Sequence, residues 1–208
     1  MSKKIIITIA RQYGSGGREI GEKVAALLSI PCYDRELITM SAQKENISPE
    51  IAENADEVAA NSLLYTLAVG SNPFGAAHLF GYTMPLNDRL FVLQSDLIRR
   101  LAEKESCVIV GRCADHVLRD HPGRLSVFVY ANLEDRRARV ASRHDISEGK
   151  ALDLINKTDR RRASYYNFYT GSKWGRYDNY HLAINSSTLG IDETAALIAE
   201  CAKRKMGR

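Results

Sequence analysis

The residues of this chain best suited to chemistry are a glycine cluster and a run of arginines. Gly14-Ser15-Gly16-Gly17 follows the apolar stretch Lys4 to Ala10 and precedes a helical pattern beginning at Arg18. Bare backbone N–H groups at a helix N-terminus, where the helix dipole also favours negative charge, suit a phosphate. Gly14, Ser15, Gly16, Gly17 and Arg18, with Arg11 beside them, therefore form a candidate anion cradle. Two stricter patterns fail. Counting Gly-x-Gly-x-x-Gly from Gly14 puts Glu19 in the third glycine's place, which removes the best support for a dinucleotide cofactor. Counting Gly-x-x-x-x-Gly-Lys-Ser/Thr with its second glycine at Gly16 puts Arg11 at the first glycine, Gly17 at the lysine and Arg18 at the hydroxyl. The lysine and the magnesium-binding hydroxyl of an ordinary phosphate loop are both missing. A tight turn that serves only backbone geometry fits the same residues.

The second feature is charge. Arg136, Arg137, Arg139, Arg143, Lys157, Arg160, Arg161 and Arg162 fall in one stretch of a chain whose formal net charge is only +4. Such a patch suits a nucleotide's phosphates or a nucleic-acid backbone, and a solvated helix face is the plain alternative. The charge is concentrated rather than spread along a groove, which argues against nucleic acid. Tyr165, Tyr166, Phe168, Tyr169, Trp174, Tyr177 and Tyr180 interleave with basic residues. They could stack a base, but packing of this segment into the core is the expected role. The cysteines and histidines show no metal-ligand spacing, so no structural metal is expected.

These groups need a scaffold. Lys4 to Ala10, Ile30 to Tyr33, Cys107 to Val110, Leu125 to Tyr130 and His181 to Asn185 are short apolar runs with helical spacing between them. Such runs predict an α/β fold, a parallel sheet of five strands flanked by helices on both faces, because parallel neighbours need crossover connections. Helices are expected from Arg18, from the cap and proline of Ser48-Pro49-Glu50, over Asn87 to Lys104, and from Ile191 to about Lys205. The segment from about Val69 to Pro85, rich in Gly, Asn, Pro and aromatics, is expected to be a loop. Asp34 follows the second strand, where its carboxylate could cap the next helix.

The chain has 208 residues, 45% hydrophobic and 26% charged, enough to bury a core as one domain, 1–208, with helical excursions at about 40–90 and 134–178. Four widely spaced cysteines without a Cys-x-x-Cys pair suggest a reduced, cytoplasmic setting. The N-terminal apolar run ends at Arg11, too short for a signal peptide or membrane span.

Ile7 to Gly21, Cys32-Tyr33-Asp34-Arg35, Val108 to Asp115, and Asp159 to Tyr166 on through Trp174-Gly175 together resemble the cytidylate-kinase-like family, in the same order and over nearly the whole chain. The resemblance implies a P-loop kinase fold with a nucleoside-monophosphate-binding excursion and an arginine-rich lid. It implies ATP and Mg2+ as cofactors and a small acceptor as the other partner, with no membrane. Gly111-Arg112 matches the Gly-Arg-Asp segment with which cytidylate kinases hold their acceptor, but Cys113 stands in the aspartate's place. A salt bridge from Arg112 to Asp115 is the structural alternative. Asp34 and Arg35 close the second strand at the edge where open α/β sheets bind ligands, and Asp34 could orient an acceptor hydroxyl or help hold magnesium through water. In the lid, Arg136, Arg139 and Arg143 share a helix face, with Asp159 and Arg162 on its second half. Arg136, Asp159, Arg112 and Arg35 are thus acceptor-binding candidates, and Arg18, Arg139, Arg162 and Asp34 catalytic ones. Arg18 and Arg11 are candidates to replace the missing lysine. If Arg18 does so, Gly17→Lys should partly rescue Arg18→Ala; if not, Arg18 pairs with Glu19 or Glu22 on the helix surface. The missing lysine also leaves open a nucleotide-binding or regulatory protein with weak or no turnover. Oligomeric state is not legible.

Overall fold

The computed structural model describes residues 4–34, 37, 39, 40 and 85–207. Arg35, the expected helix at Ser48-Pro49-Glu50, the expected loop from Val69 and most of the 40–90 excursion lie outside them.

The chain runs β1 (Ile6–Arg11), α1 (Gly17–Leu28), β2 (Cys32–Tyr33), α2 (Leu86–Lys104), β3 (Cys107–Val110), α3 (Ala114–Val117), β4 (Arg124–Tyr130), α4 (Leu133–His144), α5 (Glu148–Thr170), a 3-10 turn (Tyr177–Asn179), β5 (Leu182–Asn185) and α6 (Ser186–Met206). The five strands form one sheet in the order β2-β3-β1-β4-β5 with every pair parallel, as the apolar runs predict. β1 is the central strand, in register with β3 from Ile6 opposite Cys107 and with β4 from Ile6 opposite Arg124.

Both faces of β1 are apolar because both are covered. Ile5, Ile7 and Ile9 point into one layer with Ile20 and Val24 of α1 and Ala195, Ile198 and Ala202 of α6. Ile6 points the other way, among Ile98 and Leu101 of α2, Ile109 of β3 and Leu118. This is the period-2 alternation of a strand between two helical layers, which reads in sequence as a continuous apolar run. Each fully buried Ile contributes about 1.5–3 kcal/mol relative to exposure, so the layers fix the register of β1 and with it the position of the loop that follows. Gly21 lets α1 come down on the sheet: a Cβ there would stand 2.9 Å from Val110 Cγ2.

The last helix expected from Ile191 is part of a longer element. α6 starts at Ser186, where the Asn185 side chain accepts from Ser187 N, and breaks at Gly190 (φ 76°, ψ 175°), so regular winding resumes at Ile191. The four cysteines are free thiols. No described helix is long and apolar enough to cross a membrane.

Candidate active site

β1 delivers Arg11 to the C-terminal edge of the sheet, and the loop Gln12 to Gly16 then turns into α1. Gly14 (φ 80°) and Gly16 (φ 78°) both take left-handed backbone, and Gly16 is the N-cap of α1 without a side-chain cap. First-turn amides of a helix have no intrahelical acceptor, so those of α1 face the space above the loop. Ser15 is turned inward: its hydroxyl donates to Gln12 O (2.9 Å), its N–H donates to the same oxygen (3.3 Å), and its own carbonyl accepts from Ser186 Oγ (2.7 Å).

Over the loop lies a cleft of about 900 Å³ lined by Arg11, Tyr13, Gly14, Gly16, Gly17 and Arg18 on the loop side, Asp34 and Arg112 at the strand ends, and Arg143, Lys157, Arg161 and Arg162 on the helices opposite. The structure thus brings together Arg11, Arg18, Asp34, Arg112 and Arg162 from five separate segments. Asp34 is buried and faces two cations, Arg11 Nη2 at 3.7 Å and Arg18 Nε at 3.4 Å. Arg18 is half exposed and also bridges to Glu22 at 3.0 Å, so the surface pair and the site contact coexist in one side chain.

Arg112 reaches the site by unusual backbone. Gly111, Arg112 and Cys113 have φ of 78°, 56° and 52°, three left-handed residues in a row between β3 and α3. For residues other than glycine this conformation costs on the order of 1–3 kcal/mol each and persists where surroundings over-determine it. Its effect is to bury Arg112 beside Arg11 and Arg162, and burial, with the neighbouring Arg11 charge, pushes its pKa down to about 10.

α4 and α5 pack on each other and on the loop, and here the expected lid arginines divide. Arg136 Nε donates to Tyr13 O (2.8 Å) and its Nη2 pairs with Asp159, whose other oxygen accepts from Tyr13 N (2.8 Å). Arg139 donates to Gly14 O. These two arginines and Asp159 hold the peptide groups of the glycine loop and do not line the cleft. Arg162 does line it: Nη1 donates to Arg11 O (3.1 Å) and the guanidinium stands over the Tyr13 ring, 5.5 Å from its centroid. A Cβ on Gly14 would meet the Arg136 backbone, with O at 3.0 Å and Cα at 3.3 Å, so glycine is needed there for the approach of α4 as well as for φ.

Lys157 and Arg161 of the basic patch also line the cleft, as do Tyr13, His144 and Thr158, to which sequence reasoning gave no site role. A usable signal existed on α5, where Leu154, Lys157, Thr158, Arg161 and Arg162 recur at spacings of three and four. Nothing local marks Tyr13 or His144, whose hydroxyl and Nε2 meet at 2.8 Å across the cleft's rim.

The model of the cytidylate kinase-like family matches residues 6–188. This chain belongs to the cytidylate kinase-like family. Among solved structures it is similar to an uncharacterized protein from Eubacterium ventriosum, with 30% identity, TM-score 0.70, and 96% of this chain and 99% of that one covered. Shikimate kinases share the fold: the enzyme from Bacteroides thetaiotaomicron (13% identity, TM-score 0.54, 96% and 98% covered) and the Acinetobacter baumannii enzyme in complex with shikimate (12%, 0.50, 98% and 95%). None of the curated protein sequences compared matches this chain.

In this family member most of the aromatic segment packs, whereas Phe168 and Tyr177 are exposed. On α5, Tyr169 stacks on Phe91 of α2 at 4.1 Å and donates to Asp88 Oδ1 (2.7 Å), and Tyr166 donates to Asp115 Oδ2 of α3 (2.7 Å). Burial raises the Asp115 pKa, and the Tyr166 hydrogen bond opposes that shift. Phe128 of β4 gathers Trp174 and Tyr180 at 5.5 and 5.0 Å.

Proposed function

We propose that this chain is a nucleotide-dependent phosphotransferase that moves the γ-phosphoryl group of ATP to a nucleoside monophosphate or similar small acceptor. The observation that carries the reading is the cleft of about 900 Å³ over a left-handed glycine loop at the C-terminal edge of an all-parallel sheet, ringed by arginines. Ligands of open α/β sheets bind at this edge, and phosphoryl transfer depends mainly on positioning and charge stabilisation.

In this reading the backbone of Gly14 to Arg18 cradles the triphosphate, with Arg11 and Arg18 beside it. Arg162 reaches the transferred group from α5. Arg112 holds the acceptor's anion. Asp34 orients the acceptor, whose oxygen bonds to the γ-phosphorus while the bond to the bridging oxygen breaks and ADP leaves; a hydroxyl acceptor gives its proton to Asp34, whereas a monophosphate oxygen attacks already deprotonated. Arg136, Arg139 and Asp159 keep the loop in shape. Of the carboxylates lining the cleft, Asp34 is the buried one, at the strand ends between Arg11 and Arg18, whereas Glu19 and Glu22 lie on α1 and are not buried. Mg2+ would therefore rest on the nucleotide's phosphates with Asp34 as the protein's contribution, and it would supply charge neutralisation of the β- and γ-oxygens. The free thiols support a reducing, cytoplasmic setting.

The absent lysine and hydroxyl support a second reading, a nucleotide-binding regulatory protein with little turnover. One experiment separates them: titration with ATP and Mg2+, followed by a coupled assay across mononucleotides and small alcohols. The transferase reading expects acceptor-dependent ADP release. ATP binding without turnover across the panel overturns it in favour of the regulatory reading, and no ATP binding overturns both.

A further inference from the structure

Position 17, where a phosphate loop ordinarily carries its lysine, is filled from the side. A Cβ on Gly17 would stand 2.5 Å from Arg11 Cβ and 3.0 Å from Arg11 Cγ. Those atoms are the root of a side chain anchored on β1, so they cannot swing away as a chain end would. The other end of the same side chain claims a second glycine: a Cβ on Gly111 would be 2.3 Å from Arg11 Nη1 and 3.0 Å from Cζ. Arg11 therefore runs from above Gly17 to above Gly111, with Asp34 Oδ1 at 3.7 Å from Nη2 and its backbone carbonyl engaged by Arg162. It is nearly buried, at 11% side-chain exposure. Arg11 also lines both the large cleft over the glycine loop and a small cavity of about 20 Å³ shared with Arg112, Asp115 and Arg162.

We infer that Arg11 supplies the cation at the transferred phosphoryl group, occupying from β1 the volume that a lysine at position 17 would need. The inference rests on the nucleotide reading above and narrows it. The three departures from the ordinary loop are then one exchange: glycine gives way to arginine at 11, lysine gives way to glycine at 17, and at 18 the hydroxyl residue gives way to Arg18, which bridges Glu22 and Asp34. Arg11 stands where the donor's terminal phosphate in the cleft and an acceptor anion near Arg112 would both reach it. Its planar fork can engage two oxygens at once. It takes part as a fixed charge and exchanges no proton with the substrates. This geometry also corrects the expected rescue by Gly17→Lys: in the presence of Arg11 the new Cβ has no room.

The test is a charge relocation read by calorimetric titration with ATP and Mg2+ and by thermal melting. Arg11→Met keeps a stem over Gly17 without the charge; it should melt below the parent, because buried Asp34 then keeps Arg18 but loses Arg11, and lose about ten- to a hundredfold in ATP affinity. Gly17→Lys alone should melt well below the parent. The double variant Arg11→Gly/Gly17→Lys should melt above Gly17→Lys and recover most of the affinity that Arg11→Met loses. A parent chain that takes up no ATP overturns the nucleotide reading together with this inference. A parent that binds ATP, with Arg11→Met binding it equally well, overturns this inference alone. So does a Gly17→Lys protein with parental stability.

Discussion

Arg136 shows how much of this site is devoted to holding the loop. Its side chain is only 7% exposed, and together with Asp159 it grips both the carbonyl and the N–H of Tyr13. Removing one partner of a buried pair leaves the other charge uncompensated. Asp159→Asn is therefore expected to cost about 3 kcal/mol, lowering the melting temperature by roughly 6–12 °C, and to weaken ATP binding because Arg136, which grips the Tyr13 carbonyl, loses its charge partner. Thermal melting with and without ATP checks both; an unchanged melting temperature would show the clamp to be idle. Arg162 behaves differently because it borders the cleft, where it meets the Arg11 carbonyl and the Tyr13 ring face. Arg162→Ala should lower turnover about a hundredfold or more while ATP affinity falls less than about tenfold, the pattern of a contact made mainly in the transition state. Steady-state kinetics set beside direct ATP titration decides, and equal losses in both would make it a ground-state contact.

At the scale of elements, α5 does two jobs along its length. Its middle turns carry Lys157, Arg161 and Arg162 over the glycine loop, and its last turns dock on α2 and α3 through Tyr165, Tyr166 and Tyr169. The docked turns set where the cationic turns can reach. Tyr169→Phe keeps the stack on Phe91 but leaves Asp88 Oδ1, on a buried carboxylate, without that donor. A loss of about 1–3 kcal/mol in stability is expected, accompanied by faster amide exchange along the C-terminal half of α5. Hydrogen exchange read by mass spectrometry tests this, and parental exchange rates there would show that the aromatic stack alone holds the helix.

For the molecule as a whole, acid should act through histidines at the foot of the sheet. His181 Nδ1 accepts from Ser126 N (3.0 Å), and burial, with Arg124 and Lys205 nearby, lowers its pKa below the ordinary 6.5. His116 is lowered as well, by burial first and then by Arg119 and Arg124. A folded value below the unfolded one means the fold prefers the neutral ring. The contribution is complete above pH 6.5 and is lost as pH falls below it toward the folded value. The raised Asp115 works in the opposite sense, its contribution being lost as pH rises from the ordinary 3.8. Comparison with His181→Gln isolates the histidine: the stability advantage of the parent should shrink between about pH 7.5 and about pH 5.5. A difference that stays constant with pH in denaturant melts would remove His181 from the acid response.

The sequence by itself determined the sheet, because continuous apolar runs such as Lys4 to Ala10 can be satisfied only by a strand covered on both faces, and helical spacing between such runs demands parallel crossovers. It also determined the location of the glycine loop, since Gly14 and Gly16 adopt positive φ that the local residue types alone make cheap. The duties of the arginines were decided only by tertiary structure. Arg136, Arg139 and Arg143 share one helix face in sequence, yet the first two meet loop carbonyls and the third meets the cleft, because α4 presses its N-terminal turns onto Gly14. The exclusion at position 17 was equally illegible, for it depends on how closely α1 packs against the end of β1. Whether a long charged side chain acts on a ligand, a carbonyl or a carboxylate is set by distances of a few ångströms between segments far apart in the chain, and no local pattern of residue types carries that information.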